Sequence, residues 1–433
     1  MKREEKEKEK AATTAENIVD DAGLDEKIHG DFLISNKKIY LNNGSVGPVP
    51  ISTVKAITDF YLRYSEHGPD SAESNEYLEN LKRETRQRVA DLINCDSDEI
   101  IFTSSTTEGI NFVTQGISWN KDDKILLRDA KNEHFSNYLP WVKAANDNNL
   151  QIETFPFDNE NLVIEDLTKL IGSSTDAPRV VTTSHVMYNN GSITPVETMG
   201  SIIKKKNKKI LFSIDGAQSV GAIDVDVKKI KCDFLSFPAF KWVCGPLGIG
   251  VLYVNKKVMD NDFEPVFVGA GSAQIESNKV KGNNPTNTSN KTWETLKFYK
   301  YPQKYHSTFR NYPGLAGLES SIRYLLRIGI PNIYKKNKKL STIFREEISK
   351  INEIVIHEAS EEGMRSSMVS FSFKRNSNNR VRMLVEKLQE KGIILAEREI
   401  GLKKIVRASP HFYNTENEII KTINEIKVIT SKM

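Results

Sequence analysis

Short apolar runs alternate with longer segments of helical periodicity over most of the chain. Each run is nearly continuous in aliphatic and aromatic residues, which is typical of strands buried on both faces. Strands of this kind separated by helices predict an α/β fold with a mostly parallel sheet covered on both sides. The runs are EIIFT (99–103), KILLRD (124–129), LQIETFP (150–156), RVVTTSHV (179–186), KKILFSID (208–215), DFLSF (233–237) and GIGVLYV (248–254).

A different pattern follows toward the C-terminus. VSFSF (369–373) predicts a strand, and the residues from about 380 to 391 have the periodicity of a helix. Thr415 comes just before the last periodic segment and Glu418 follows three residues later, which is the spacing of a helix capping box. We therefore expect a smaller α+β domain at this end of the chain.

These patterns divide the chain into three parts. Residues 1–37 begin with a run of Lys and Glu and are interpreted as a charged N-terminal tail. Residues 38–300 are expected to form the large α/β domain and residues 301–433 the small α+β domain. Residues 272–307, rich in Asn, Lys, Ser and Thr, predict a long surface loop. The cleft between the two domains is the expected place for a binding site.

Composition and charge narrow the functional classes. The 433 residues are 38% hydrophobic and 27% charged, as in globular proteins, and the net charge of +4 is too small to indicate a nucleic-acid or membrane-surface partner. No apolar run is long enough to span a bilayer, and the first residues lack a signal-peptide core, so we expect a cytoplasmic protein. The three cysteines, Cys95, Cys232 and Cys244, fit neither a disulfide framework nor a zinc site, and we predict no metal.

Candidate chemistry lies where the predicted strands end, because ligands of open parallel sheets bind beyond the carboxyl ends of the strands. EIIFT is followed by Ser104, Ser105, Thr106 and Thr107, just before a predicted helix. Hydroxyl groups and free N–H groups at a helix N-terminus suit a phosphate. An ordinary helix cap explains the same residues and is the preferred interpretation when they are taken alone.

Two further strand ends carry titratable side chains. His134 follows KILLRD and has the chemistry to stack on a cofactor ring or to move protons, although a lone histidine is more often only a hydrogen-bonded polar residue. Asp215 closes the apolar run KKILFSID. A carboxylate buried there requires a cationic partner, and a protonated ring nitrogen, a lysine or a helix N-terminus would each serve.

Lys241 and Arg407 complete the set of candidates. Lys241 lies between Phe240 and Trp242 soon after a buried strand, so that desolvation should lower its pKa and favour the neutral amine that forms Schiff bases. A surface lysine is the alternative interpretation. Arg407 ends a β-like segment before the last helix, and a planar guanidinium is well suited to hold a substrate carboxylate.

The order of these motifs resembles that of the class V aminotransferase family, which includes cysteine desulfurases, selenocysteine lyases and isopenicillin N epimerase-like enzymes. The resemblance extends from about Tyr40 to the C-terminus. It implies the fold of type I pyridoxal 5'-phosphate (PLP) enzymes, a small amino-acid substrate and a homodimer with shared active sites. The motifs are Thr-Thr-Glu-Gly (106–109), the loop of His134, Asp215-x-x-Gln218, Lys241 before Gly-Pro-x-Gly, Arg407-x-Ser and Tyr-Asn-Thr (413–415).

The resemblance also implies a role for each residue. Lys241 would be the catalytic Schiff-base lysine, and His134 would stack on the PLP ring and act in catalysis. Arg407 and Asn43 would bind the substrate. The remaining cofactor contacts would come from Asp215 at the pyridinium nitrogen, Gln218 at the phenolic oxygen, Thr106 and Thr107 at the phosphate, and Thr308 at the phosphate of the neighbouring subunit.

The sequence departs from the family pattern in ways that bear on the reaction. Pro238 and Phe240 occupy positions where the family usually has Ser and His, which removes one phosphate hydroxyl and one polar group near the lysine. Cysteine desulfurases carry a nucleophilic cysteine shortly before the carboxylate-binding arginine, and residues 392–409 contain none. Tyr188 and its neighbours (Met-Tyr-Asn-Asn, 187–190) are closer to the isopenicillin N epimerase-like branch.

We therefore favour a PLP-dependent enzyme that acts at Cα and Cβ of an amino acid and is not a typical persulfide-forming desulfurase. Elimination of a sulfur or other leaving group is preferred, with aminotransfer and epimerisation close behind. Two alternatives remain open. One is a degenerate PLP-fold dimer with a binding or regulatory role, and the other is a cysteine desulfurase that uses an atypical thiol such as Cys244.

Overall fold

The computed structural model describes most of the chain. The described residues are 22–130, 132–155, 157–158, 161–172, 177–278, 293–307, 311–375 and 377–433. The helices are α1 (Ala22–Gly30), α2 (Ile51–His67), α3 (Ala72–Ile93), α4 (Thr106–Gly116), α5 (Phe135–Asn148), α6 (Ile164–Leu170), α7 (Val196–Lys206), α8 (Val227–Ile230), α9 (Lys256–Asn261), α10 (Tyr312–Ile328), α11 (Ile330–Ser349), α12 (Ser377–Glu390) and α13 (Glu416–Thr430).

Each of the seven predicted runs between residues 99 and 254 contains a strand, and the described residues form seventeen strands in all. They are β1 (Ile39–Tyr40), β2 (Ile100–Thr103), β3 (Lys124–Leu127), β4 (Gln151–Thr154), β5 (Phe157–Asp158), β6 (Asn161–Leu162), β7 (Val180–Ser184), β8 (Leu211–Asp215), β9 (Phe234–Pro238), β10 (Gly250–Val254), β11 (Ala273–Asn278), β12 (Trp293–Phe298), β13 (Ile354–His357), β14 (Val369–Phe373), β15 (Ile393–Ile394), β16 (Ala396–Ile400) and β17 (Lys403–Ala408).

A seven-stranded sheet forms the centre of the molecule, in the order β2-β10-β9-β8-β7-β3-β4. Strand β10 runs antiparallel to both of its neighbours, and the pairs from β9 to β4 are parallel. Every residue of β2, β7, β8, β9 and β10 is buried, whereas the edge strand β4 is partly exposed. The predicted mostly parallel sheet, buried on both faces, is confirmed.

A second, antiparallel sheet forms the smaller C-terminal unit, in the order β13-β14-β17-β16. Helices α12 and α13 pack on it around a separate hydrophobic core. The predicted capping box is present at the start of α13, where Thr415 and Glu418 each bind the other's backbone N–H. The expected fold class, a mostly parallel α/β domain with a smaller α+β domain, is confirmed.

Helix α11 contributes side chains to the hydrophobic cores of both domains. Its first part, including Ile333, packs in the core of the large sheet, whereas Leu340 and Phe344 pack in the core of the small sheet. Helix α10 packs against α2 and α3 and therefore lies with the large domain. The domain boundary that we place at residue 300 stays a prediction.

The N-terminal segment connects the two domains. Residues 1–21 of the predicted tail lie outside the described residues. Phe32 is fully buried and stacks on Tyr413, with ring centroids 4.2 Å apart. Strand β1 then pairs in parallel with β15, so that Ile39 lies opposite Ile393 of the small domain. Residues 22–40 therefore fasten the start of the chain to elements near its end.

The segment predicted as a long surface loop contains a β-hairpin. Strands β11 and β12 pair antiparallel, with Ala273 opposite Phe298, and the residues between them (279–292) lie outside the described residues. Ile275 and Leu296 are exposed. The prediction of a loop was wrong for these strands, because a solvent-exposed two-stranded ribbon tolerates a polar composition that resembles a loop.

No helix in the described ranges combines the length and the apolar character that crossing a membrane requires.

A close backbone approach at Gly47 holds the loop after β1 against the loop after β9. The backbone N–H of Gly47 donates to the carbonyl of Phe240 at 2.7 Å. A Cβ atom at this position would lie 2.1 Å from the backbone oxygen of Lys241. Because that neighbour is backbone, a side chain at position 47 requires the two segments to separate.

We expect Gly47→Ala to lower the free energy of unfolding by about 1 to 3 kcal/mol, the usual range for overpacking. The measurement is the urea midpoint of the purified variant. Gly363→Ala is the matched control, because a Cβ there has nothing within 4 Å. Equal midpoints for the two variants would contradict the close approach.

Candidate active site

A cavity of about 280 Å³ opens at the carboxyl ends of the large sheet's parallel strands and reaches the small domain. It is lined by residues from the loops after β2, β3, β8 and β9 and by the strands β16 and β17. The fold therefore brings together side chains that are more than 300 positions apart. Among them are the predicted site residues Thr106, Thr107, His134, Asp215, Gln218, Lys241 and Arg407.

Two predicted site residues lie elsewhere or cannot be placed. Asn43 is fully buried, its Nδ2 donates to the carbonyl of Ser409, and its Oδ1 accepts from the hydroxyl of Tyr413. These two bonds connect the loop after β1 to the residues that follow β17. The role of Asn43 toward a substrate stays a prediction. Thr308 lies outside the described residues.

Asp215 is the carboxylate at the base of the cavity. It is the last residue of β8, is only 5% exposed, and its Oδ1 accepts from the backbone N–H of Ala217 at 2.8 Å. Burial raises the pKa of Asp215 to about 6, and the nearby Glu133 carboxylate adds to this rise, while Lys241 opposes it. A cation placed against Asp215 would therefore be strongly stabilised by a charge that has little access to water.

Lys241 follows the neighbouring strand β9 and faces the same cavity. Burial lowers the pKa of Lys241 to about 8, Asp215 counteracts this effect, and Arg407 and Arg398 reinforce it. A lysine with this pKa carries a large fraction of neutral, nucleophilic amine at mildly alkaline pH. The lowered pKa that we expect from the position of Lys241 between Phe240 and Trp242 agrees with this environment.

The N-terminus of α4 offers hydroxyl groups suited to an anion. Ser105 is the N-cap, since its Oγ accepts from the backbone N–H of Glu108 at 3.2 Å. This leaves Thr106 free of the capping role, and its Oγ1 is buried with no hydrogen-bond partner among the described residues. A phosphate oxygen would satisfy this hydroxyl and would lie at the positive end of the helix.

His134 is held as a neutral ring at the start of α5. Its Nδ1 accepts from the backbone N–H of Ser136 at 3.1 Å, and its ring meets Tyr188 edge to face at 4.6 Å. Burial lowers the pKa of His134 to about 4, with further lowering by Lys241 and the two arginines of the cavity. A neutral aromatic ring is what stacking on a cofactor requires.

Gln218 has a structural role besides any contact with a ligand. Its Oε1 accepts from Trp242 Nε1 and its Nε2 donates to the carbonyl of Gly44, both at 2.8 Å. The amide has a second N–H, so that one donor remains for the predicted contact. Gln218 thereby joins the loop after β8 to the Lys241 loop and to the loop after β1.

Arg407 is fully buried and anchored by neutral groups. It donates from Nη1 to the carbonyl of Tyr188 and from Nη2 to Ser45 Oγ at 2.8 Å. Burial lowers the pKa of Arg407 to about 9, and its Nε has no partner among the described residues. This guanidinium lacks a carboxylate partner in the described part of the chain, which suits the binding of a substrate carboxylate.

The end of the cavity that is expected to hold the phosphate is polar, although Pro238 and Phe240 replace the family's usual Ser and His. Both residues line the cavity, and Pro238 pairs with Gly250 as the last residue of β9. Hydroxyl side chains from other elements face the same space. They are Ser105, Thr106, Thr107 and Ser136. The residues present therefore fit a phosphorylated cofactor with a basic ring nitrogen, even without the family's usual serine.

Several cavity residues were not predicted from the sequence. Arg398 and Ser45 line the cavity, but neither stands at the end of a predicted strand. Glu133, which does not line the cavity, was also overlooked beside His134. Its carboxylate accepts from the backbone N–H groups of His134 and Ser184. The available signal for Glu133 was a carboxylate next to His134, four residues after the end of the run KILLRD (124–129).

Comparison with known proteins decides the family. The family described as Aminotransferase class-V matches residues 39–421. The chain belongs to this family. It is therefore a PLP-dependent enzyme of the class V aminotransferase family, and the interpretation as a binding protein on the same fold loses its support. The expected cofactor, PLP, agrees with the residues that line the cavity.

Several relatives found in the sequence comparison are named cysteine desulfurases. A probable cysteine desulfurase of Pyrococcus abyssi is 34% identical over 322 residues, which cover 73% of this chain and 74% of the relative. A second, from Methanothermobacter thermautotrophicus, is 28% identical over 407 residues, with 91% and 95% covered. These names contrast with the absence of a cysteine from residues 392–409 of this chain.

Solved structures confirm the fold. The apo cysteine desulfurase of Thermococcus onnurineus NA1 superposes with a TM-score of 0.83 at 28% identity and covers 94% of this chain and 98% of that protein. The cystine C–S lyase C-DES, solved with its product cysteine persulfide, has a TM-score of 0.78 at 24% identity, with 90% and 97% covered. The second likeness bears on the fold alone.

The lowered pKa of Lys241 gives a testable pH dependence. In cofactor-free protein, the rate of reductive methylation of Lys241 should rise with pH up to about 8 and level off above it, because only the neutral amine reacts. Ordinary exposed lysines, with pKa values of about 10.4, should keep gaining reactivity through this range. Mass spectrometry of the labelled peptides provides both rates in one digest.

Asp215→Asn sharpens this test. Because the Asp215 carboxylate raises the pKa of Lys241, its removal should move the plateau to lower pH. A Lys241 reactivity that rises in parallel with that of the exposed lysines, or that does not respond to Asp215→Asn, would contradict the assigned environment.

Proposed function

We propose that this chain catalyses β-elimination from an amino acid, with a sulfur substituent on Cβ as the preferred leaving group. The observation that carries the proposal is that the cavity combines Lys241 and Arg407 with no cysteine among its lining residues in the described ranges. Lys241 supplies a base, and Arg407 supplies an anchor for the substrate. None of the described lining residues offers a thiol to take sulfur from the substrate.

The burial of the cysteines supports this proposal. Cys232 and Cys244 are buried and Cys95 is half-buried, and burial raises the pKa of all three thiols. A thiolate is the form that attacks sulfur, so a thiol with a raised pKa is a poor acceptor. Arg407 lies on the hairpin β16–β17. The two strands of this hairpin carry Arg, Glu and Lys side chains and no cysteine.

Each residue of the cavity has a defined task in the proposed reaction. When bound, PLP supplies an electron sink that stabilises negative charge at Cα of the substrate. Arg407 holds the α-carboxylate and thereby orients the substrate. Lys241 Nζ removes the proton from Cα, for which its lowered pKa is suited near pH 8. Asp215 would hold the ring nitrogen of PLP and would stabilise its positive charge.

The reaction balances with water as the only co-substrate. Loss of the Cα proton is followed by cleavage of the Cβ–S bond, and the leaving thiolate takes up a proton to become a thiol. The remaining enamine is released and hydrolyses to pyruvate and ammonium. Aminotransfer and epimerisation begin with the same proton removal and differ in the next proton transfer, so the products distinguish all three reactions.

The second candidate is cysteine desulfuration, which the names of the relatives favour. It requires a protein thiol that accepts sulfur and returns alanine as the product. Cys244 is the nearest cysteine to Lys241 in sequence, but it is buried in a turn with a φ of 54°. This position supports packing rather than sulfur transfer.

A homodimer is part of the proposal. Helix α2 leaves an apolar side uncovered in the single chain, formed by Ile51, Val54, Tyr61 and Leu62. Exposed side chains of this type on one helix are typical of an interface between subunits. The predicted contribution of Thr308 to a neighbouring site belongs to the same proposal.

We expect the PLP-loaded enzyme to convert L-cystine or L-cysteine to pyruvate and ammonium in equal amounts, with little alanine. Cys95→Ala and Cys244→Ala should leave this activity intact, because neither thiol lines the cavity. Lys241→Ala should abolish it. A coupled lactate dehydrogenase assay measures pyruvate, and amino-acid chromatography measures alanine. Alanine as the main product, lost in Cys244→Ala, would instead establish the desulfurase.

A further inference from the structure

A second carboxylate lies directly behind the wall of the cavity. Glu133 is buried and is not among the residues that line the cavity. Its Oε1 accepts from the backbone N–H of His134 at 2.8 Å and from the hydroxyl of Ser184, and its Oε2 accepts from the backbone N–H of Ser184 at 3.0 Å. Both donor residues line the cavity, so that they stand between Glu133 and any ligand.

Glu133 has no cationic partner among the described residues. Each of its hydrogen bonds comes from a neutral group, and none of the described Lys and Arg side chains forms an ion pair with it. Removing a carboxylate from water is unfavourable unless hydrogen bonds or an opposite charge compensate it. Three donors satisfy the oxygen atoms of Glu133, and its negative charge is left to act on the groups around it.

The sheet places this charge close to Asp215. Ser184 ends β7 and lies opposite Asp215, which ends the parallel strand β8. Neighbouring strands are about 4.8 Å apart. Glu133 belongs to the loop after β3, on the other side of β7, so that one strand separates the two carboxylates. Burial raises the pKa of Asp215 to about 6, and the charge of Glu133 adds to this rise.

Two carboxylates therefore attract a cation that binds against Asp215. Asp215 would contact this cation directly, and Glu133 would act on it across β7. Both carboxylates are buried, and Coulomb interactions over several ångströms stay strong where water has little access. The ring nitrogen of PLP is the group that we assign to Asp215, and only its protonated form carries the positive charge that the two carboxylates stabilise.

We propose that Glu133 is a positioning residue that acts through Asp215 to keep the ring nitrogen of bound PLP protonated. Its charge raises the affinity of the pair formed by Asp215 and the ring nitrogen for their shared proton. Its hydrogen bonds hold the His134 loop against the end of β7. This inference rests on the assignment of Asp215 to the ring nitrogen. It goes beyond the proposed elimination, because it concerns cofactor binding and applies equally to aminotransfer and epimerisation.

A matched pair of cofactors isolates the effect of the charge. In 1-deaza-PLP a C–H group replaces the ring nitrogen, so that the phosphate, the aldehyde and the ring shape are kept and the cation is lost. Cofactor-free full-length protein is titrated with each compound, and quenching of tryptophan fluorescence gives the two dissociation constants. We expect Glu133→Gln to lower the preference for PLP over 1-deaza-PLP by about 10-fold, the equivalent of one pKa unit at the ring nitrogen.

Further variants separate charge from structure. Glu133→Asp keeps the charge and should retain part of the preference. Glu133→Ala removes the charge and admits water to the freed N–H groups, so it provides the same measurement if Glu133→Gln does not fold. Glu99→Gln is the matched control and should keep the full preference. Glu99 is also a buried carboxylate that accepts from two backbone N–H groups, but it precedes β2, at the end of this strand away from the cavity.

Asp215→Asn separates the two assignments, and it should lower the preference further than Glu133→Gln does. An unchanged preference in Asp215→Asn would overturn the assignment of Asp215 to the ring nitrogen, and the role of Glu133 with it. A preference that falls in Asp215→Asn but not in Glu133→Gln or Glu133→Ala would overturn the role of Glu133 alone. The same holds if Glu133→Gln weakens the binding of both cofactors equally, which is the result of a purely structural role. Because only binding is measured, failure of the proposed elimination would leave these results unaffected.

Discussion

The Asp215 carboxylate and the Lys241 amine are held out of water at the ends of two adjacent strands. Burial disfavours the charged form of each, raising the pKa of Asp215 to about 6 and lowering that of Lys241 to about 8. Each group partly stabilises the charge of the other. Because the protein alone satisfies them incompletely, the site is prepared for a ligand that brings a cation to Asp215 and an electrophile to Lys241.

The rest of the fold maintains this arrangement. The five fully buried strands fix the relative positions of the loops that carry Thr106, Asp215 and Lys241. The small domain contributes Arg407 and Arg398 from one hairpin, and the loop after β1 contacts residues of both domains. Gly44 packs against Arg407, where a Cβ would lie 3.0 Å from Cζ, and Gly47 packs against the backbone of Lys241. The active site is therefore a product of all three parts of the chain.

Sequence patterns were sufficient for the strands of the central sheet and for the residues at their ends. Continuous apolar runs predicted the central strands, and Asp215 and Lys241 stood out because charged side chains end or follow such runs. Arg398 was missed because its place in the cavity depends on the register of β16 and β17, which brings it beside Arg407. Register and long-range contacts such as those of Ser45 are set by tertiary packing and leave no local signal. The hairpin β11–β12 was missed because it is exposed and polar.

The central claim is that Lys241 and Asp215 together hold PLP. The most direct test is the visible absorption spectrum of the purified protein with PLP, before and after borohydride, for the wild type, Lys241→Ala and Asp215→Ala. The account requires a protein-bound band that borohydride removes in the wild type, its loss in Lys241→Ala, and weaker PLP binding in Asp215→Ala. A wild type without such a band in excess PLP, or a Lys241→Ala variant that retains it, would contradict the account.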